Sequence, residues 1–371
     1  MRPGWRLTAL VSLAAACDPT AKPPSEADTD GTTGAPPPVS SGDLPASSSG
    51  SRGDTPGPDD GDEQGGSDDS TGAYPVDPEP EAYPPLPWVN PLGEDTELQA
   101  DRILTTGGTW TDLPRWHDGV LYFTLDKARP ARLIDGEAVE LFDDGLVRQC
   151  RAIDPITDRM HCLHLEADPP TWWALDATSE TLAATFDALP VPGLANDQSY
   201  GPSFAFFSNR CDGHATCSGA PDGVRGGVYR LSLDGQLTDL RPDVQNPNGL
   251  IVTPDGKTLF IAASAYKDQD EAGLYRLDID AEGNLGPAER VTHVDKPDGV
   301  TIDLHGNAYV CSSNSRVAVY RLDTGEMLGR IRARSRVTNV AFGGPTDSTL
   351  FMTTSQQGVY AIDLPVTGYV P

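Results

Sequence analysis

Five oxygen-bearing side chains recur at one place in a repeated pattern: Asp112, Asn196, Asn248, Asp298 and Asn339. Asn248 stands eight residues before Gly256, and Asp298 stands eight residues before Gly306. Asn339 holds the corresponding place in a later copy, Asn196 opens an earlier one, and Asp112 opens the first. Two carboxylates with two or three amides form a hard donor set. Gathered together, they suit a divalent cation that keeps positions for water and substrate, and Ca²⁺ fits them better than a thiophilic metal. Each residue also has a plainer use. Asn248 and Asp298 precede glycines, as turn formers do; Asp112 can bond nearby backbone amides, and Asn339 can satisfy a strand end.

Whether these groups meet depends on the elements that carry them. From Pro87 onward the hydrophobic pattern is short and alternating, and one phrase of apolar strand, turn and apolar strand keeps returning. The copies lie at 114–123, 150–162, 196–209, 249–260, 299–311 and 339–354. Their spacing is close to the ~40–45 residues of a four-stranded propeller blade. The pattern predicts an all-β fold, a six-bladed β-propeller over residues 87–371. Such a fold brings the starts of its innermost strands around one channel, so equivalent residues of different repeats converge there.

The chain has six cysteines. Cys150 and Cys162 lie symmetrically about a turn at 155–157, and Cys211 and Cys217 bracket a short loop, so two disulfides are expected. That leaves Cys311, in Ala308-Tyr309-Val310-Cys311, as a free thiol on a buried strand. His214 lies in the Cys211–Cys217 loop, where it is either a substrate contact or part of a surface loop. The other five histidines lack metal-ligand spacing and read as structural or exposed.

Asn246-Pro247-Asn248-Gly249-Leu250, Lys296-Pro297-Asp298-Gly299-Val300, Thr338-Asn339-Val340-Ala341-Phe342-Gly343-Gly344 and Gly226-Gly227-Val228-Tyr229-Arg230-Leu231 together resemble the family of senescence marker protein, gluconolactonase and luciferin-regenerating enzyme. The likeness is clearest over about residues 190–355. It implies a metal-dependent hydrolase of lactones or related esters, with a cation held by Asp112, Asn196, Asn248 and Asp298. Asp298 would be catalytic, shuttling a proton or attacking directly. Asn196, Asn339 and His214 would contact a small-molecule substrate. The chain departs from the family at two places. Asp112 stands where a Glu is usual, and Leu194 replaces the Arg that commonly precedes Asn196 by two, which turns the expectation away from gluconolactone itself. The rival reading is a propeller that binds a small molecule or protein without turnover, since a fold does not fix a function. No nucleophile elbow, phosphate-binding glycine loop or dinucleotide fingerprint occurs.

Net charge is −28, which argues against nucleic acid and anionic membrane surfaces as partners. Arg2 and Arg6, an apolar run from Leu7 to Ala16, and Cys17 form a signal-like start. Leu13-Ala14-Ala15-Ala16-Cys17 resembles the bacterial lipoprotein cleavage box, which implies lipidation at Cys17 and a membrane contact through that anchor alone. Residues 18–86, rich in Ser, Gly, Pro, Thr and Asp, read as an extended disordered linker. These features predict a monomer displayed outside the cytoplasm, on a bacterial cell envelope.

Overall fold

The computed structural model describes residues 82–126, 129–141, 148–154, 159–164, 171–176, 182–188, 195–209, 227–232, 237–240, 242–264, 271–312 and 315–371. Two short strands come first, β1 (Glu97–Gln99) and β2 (Asp101–Leu104). The first sheet then holds β3 (Thr111–His117), β4 (Val120–Leu125), β5 (Arg129–Ile134) and β6 (Glu137–Glu140). The second holds β7 (Arg148–Asp154), β8 (Arg159–His164), β9 (Thr171–Asp176) and β10 (Leu182–Ala188). The third holds β11 (Ala195–Tyr200), β12 (Phe204–Asn209), β13 (Gly227–Ser232) and β14 (Leu237–Asp239). The fourth holds β15 (Pro247–Val252), β16 (Thr258–Ala263), β17 (Gly273–Asp278) and β18 (Glu289–His293). The fifth holds β19 (Pro297–Ile302), β20 (Asn307–Ser312), β21 (Arg316–Arg321) and β22 (Met327–Arg332). The last holds β23 (Val337–Gly343), β24 (Thr349–Thr354) and β25 (Val359–Asp363).

Among the described residues these strands form six sheets. The innermost strands pack side by side in a closed circuit, β3 on β7, then β11, β15, β19, β23 and back to β3. The fold is an all-β propeller. Burial follows the composition of each strand. Inner strands such as β15 (Pro-Asn-Gly-Leu-Ile-Val) are buried at every position and read as continuous apolar runs, because neighbouring sheets cover both faces. Outer strands such as β22 alternate between buried and exposed positions. Core clusters fill the gaps between sheets. One joins Ile251, Phe260 and Leu274 of the fourth sheet to Val300, Ile302 and Val310 of the fifth.

The ring is closed by the N-terminal part of the chain. β2 pairs antiparallel with β25, completing the last sheet as its outermost strand, and β1 adds to β22 in parallel. Inside the ring, buried Thr111 seals the seam: its Oγ1 accepts the Thr354 N–H at 2.8 Å, and its carbonyl accepts the Thr338 hydroxyl at 2.7 Å. The folded region begins earlier than the expected boundary at Pro87. Tyr83 N donates to Asp255 Oδ2 at 3.1 Å, the Tyr83 hydroxyl donates to Asp303 O at 2.7 Å, and Leu86 N donates to Leu304 O at 3.1 Å. Apolar and hydrogen-bonded anchoring thus reaches back into the Pro-rich stretch, which composition alone assigned to the linker. Cys150 lies opposite Cys162 in the β7–β8 register. Cys311 is free and buried. Cys17, Cys211, Cys217 and His214 lie outside the described residues.

The glycines of the two Asn/Asp-Gly motifs serve close approach between sheets. A Cβ at Gly249 would sit 2.5 Å from Asp298 O and 2.7 Å from Gly299 Cα; one at Gly299 would sit 2.6 Å from Asn339 Cα. The turn conformation falls two residues earlier, at Asn246 (φ 48°) and Lys296 (φ 45°), each followed by proline. Asn248 and Asp298 are therefore strand residues of β15 and β19 and not turn formers. Gly249→Ala should push two inner strands apart and lower stability by about 1–3 kcal/mol, the usual cost of overpacking. Thermal and denaturant unfolding of the variant would measure it. An unchanged melting temperature would show that the ring relaxes around a methyl group.

Candidate functional site

Asp112, Asn196, Asn248 and Asp298 all lie at the second position of an innermost strand, and Asn339 lies at the third. At each of these strand starts the pairing with the next strand slips register. The slips fall between Asp112 and Arg115, Ala195 and Gln198, Pro247 and Leu250, Pro297 and Val300, and Val337 and Asn339. A bulge re-aims side chains and ends regular pairing. Here the same device is used in sheet after sheet, and it turns the polar residues toward the channel end of each strand.

Two of the four expected metal ligands are joined directly, and the second reaches the backbone next to a third. Asn196 Nδ2 donates to Asn248 Oδ1, and Asn248 Nδ2 donates to Pro297 O at 3.2 Å, beside Asp298. Asn248 is buried, and its carbonyl accepts the Ser208 hydroxyl, which in turn accepts the Asp197 N–H at 3.1 Å. Asp298 Oδ2 receives Arg336 Nη2 at 2.9 Å. Asp112 Oδ1 accepts the Leu113 N–H at 2.9 Å, with Leu113 in a left-handed conformation (φ 53°). Asn339 is buried. Its Nδ2 donates to Asp197 Oδ2 at 3.1 Å, and its Oδ1 accepts the Val340 N–H at 2.8 Å.

The carboxylates share one electrostatic neighbourhood. Burial pushes the Cys311 thiol well above its usual pKa, and the negative charges of Asp298, Asp112 and Asp197 add to the rise, against an N–H bond from Gly299. One thiol on β20 thus feels the charge of carboxylates carried by β19, β3 and β11. The donor set fits a hard cation. Its oxygens come from two carboxylates and two amides, and a third carboxylate lies close behind them. Among the described residues no three His, Cys, Asp or Glu side chains form a metal-binding group by themselves.

The sequence reading assigned no role to Asp197, Arg115 or Arg336. Asp197, 2% exposed, takes Arg115 Nη2 at 3.1 Å, and the same guanidinium reaches Gln198 O at 2.6 Å. Arg115 comes from β3 and Asn339 from β23, so one carboxylate of β11 is held from across the ring. The signal available was its place beside Asn196 in the Asn-Asp pair; its partners lie 82 and 142 residues away. A cavity of about 610 Å³ lies elsewhere, lined by Pro202, Phe204, Phe206, Asp255, Lys257 and Asp278. These residues cluster at the far ends of β11, β15 and β17, away from the strand starts, so the cavity is not part of this site. Among the described residues no helix is long and apolar enough to cross a membrane. Leu194 lies outside the described residues.

Asp197→Ala should leave the Arg115 guanidinium with a missing partner in a largely dry place, costing about 3–5 kcal/mol. Asp197→Asn keeps the shape and should cost less. Chemical denaturation of both variants would test this ranking, and equal losses would show that packing, not charge, matters there.

The SMP-30/Gluconolactonase/LRE-like region family matches residues 195–356. Pentonolactonase XacC of Haloferax volcanii is 30% identical over 150 residues, which cover 38% of this chain and 50% of that protein. The chain spans about half the length of the curated relatives it matches first. Two solved structures share the propeller fold. A gluconolactonase from Xanthomonas campestris superposes with a TM-score of 0.58 at 22% identity, covering 70% of this chain and 88% of that one. The calcium-binding protein regucalcin from Agrobacterium tumefaciens superposes with a TM-score of 0.59 at 18% identity, covering 74% and 97%. The stretch that carries Asn196, Asn248, Asp298 and Asn339 lies within the residues that match this family.

Proposed function

We propose that this protein is a calcium-dependent hydrolase of lactones or closely related esters. The observation that carries the reading is the place of Asn196, Asn248 and Asp298 at the second position of three consecutive inner strands, the first two joined side chain to side chain. The names of the pentonolactonase and gluconolactonase relatives support a cyclic ester as substrate class. The six sheets support a six-bladed ring, in which the starts of β3, β11, β15 and β19 line one mouth.

Asp112, Asn196, Asn248 and Asp298 would hold the cation. Once bound, it would polarise a carbonyl oxygen and stabilise developing negative charge. The chain's own groups do the rest. Asp298, 16% exposed at its side chain, is reachable from the channel and accepts a proton from an attacking water. Asn196, half-buried, offers its amide to substrate, and Asn339 supports the site from below by fixing Asp197. Arg115 and Arg336 set two positive charges near the mouth, in place of the Arg that the family carries where Leu194 stands. The same two ion pairs favour the second reading, a binding propeller without turnover, because they leave both carboxylates with a counter-ion.

The protein would act outside the cytoplasm as a lipid-anchored monomer, with Cys17 as the acylated residue and the Pro-rich segment as tether. A Cys150–Cys162 bridge, supported by their opposition in the β7–β8 register, suits such an oxidising place.

Purified protein should hydrolyse aldonolactones, lose that activity in EDTA, and recover it with Ca²⁺. Asp298→Ala should abolish both calorimetric Ca²⁺ binding and hydrolysis, whereas Asn248→Ala, which removes a neutral ligand, should weaken the ion less. Metal binding without turnover on any lactone or ester would favour the binding propeller. Unchanged Ca²⁺ affinity in Asp298→Ala would remove the site as drawn.

A further inference from the structure

We infer that Arg336 is the built-in counter-ion of Asp298 in the metal-free protein and yields its place to the divalent cation, an inference that rests on the metal-site reading above. Arg336 Nη2 lies 2.9 Å from Asp298 Oδ2, at the oxygen a cation would need. Both positive groups seek the same lone pairs, and like charges a few ångströms apart repel strongly in a poorly solvated channel. Occupation by one disfavours the other.

The two arginine–aspartate pairs of the site are built differently, and the difference picks out Arg336. Arg115 is 15% exposed and its partner Asp197 2%. Its guanidinium is fixed further by the carbonyls of Gln198 at 2.6 Å and Pro114 at 2.8 Å. That pair is part of the frame. Arg336 is 43% exposed while Asp298 is 16%, so the guanidinium comes to its carboxylate from the solvent side and can withdraw toward it. Its backbone stays in place when it does, because Arg336 O accepts the Ser355 N–H at 3.0 Å and the next residue begins β23. The same guanidinium also lies over the Trp110 ring, its Cζ 5.8 Å from the centroid and within cation–π range. With no ion bound, Arg336 offsets the charge of Asp298.

The test is Ca²⁺ titration calorimetry on the purified full chain stripped of metal, comparing wild type with Arg336→Ala and Arg336→Lys. Arg276→Ala, which removes an exposed pair with Glu289 on the outer part of the fourth sheet, is the control. Arg336→Ala should bind Ca²⁺ about 2- to 5-fold tighter, the range of a part-exposed ion pair, and Arg336→Lys should stay near wild type. The gain should shrink at high salt. In metal-free buffer Arg336→Ala should melt at a lower temperature than wild type, and Ca²⁺ should restore it; a purely structural role would leave the deficit in place. Equal or weaker Ca²⁺ binding in Arg336→Ala, with wild type still binding, overturns the counter-ion role and leaves the metal site standing. Absence of Ca²⁺ binding in both proteins overturns the two together.

Discussion

The carboxylate of Asp197 holds the centre of this propeller together. Sheets arranged around an axis touch mainly their two neighbours, so the axis itself must be fixed by something that crosses it. Asp197 is almost completely buried, and a charge in that place is tolerated only when its oxygens are saturated. The saturation comes from Arg115 on β3, Asn339 on β23 and the N–H of Gln198 on its own strand. The need to satisfy one anion therefore ties the first, third and last sheets to a common point. Asn196, the residue before it, is then fixed toward Asn248, and the row of candidate ligands inherits its position from that anchor.

The Asn-Gly and Asp-Gly motifs serve the site and the ring at once. The polar residue faces the channel, and the glycine behind it lets the next inner strand come within contact distance: Gly249 against Asp298 and Gly299, Gly299 against Asn339. A side chain at either glycine would force the strands apart and with them the oxygens they carry. Packing and chemistry thus place demands on adjacent residues, which is why the motif can be read either as a turn or as a site. The backbone decides between these. Positive φ belongs to Asn246 and Lys296, while Asn248 and Asp298 are extended.

That division also explains what was legible beforehand. Alternating apolar strands and turns at blade spacing made the propeller readable, and equivalent positions within the repeat placed Asp112, Asn196, Asn248 and Asp298 at the same point of four inner strands, because a periodic fold turns sequence register into structural equivalence. The Cys150–Cys162 opposition followed from symmetry about a hairpin. Contacts that break the repeat were hidden. Nothing periodic marks Arg115 as the partner of Asp197, 82 residues on, or Arg336 as the partner of Asp298, 38 residues back. The same holds for Tyr83, whose hydroxyl and amide reach Asp303 and Asp255 from a stretch whose composition suggests a tether.

Charge completes the account. The chain is strongly acidic, yet two arginines pair with carboxylates of inner strands, one of them buried and the other half-exposed. An arginine sealed beneath the site, as Arg115 is, compensates a fixed charge and contributes to the scaffold. A half-exposed one, as Arg336 is, has room to move, and in the proposed metal site uptake of a dication would change the net charge by two units. If both arginines were buried, cation entry would have to disrupt the frame; if both were exposed, Asp197 would lack a rigid partner and the strand starts would lose their common anchor. In the proposed metal site, the division into one buried and one half-exposed guanidinium would let the same carboxylates be stable without an ion and receptive to one.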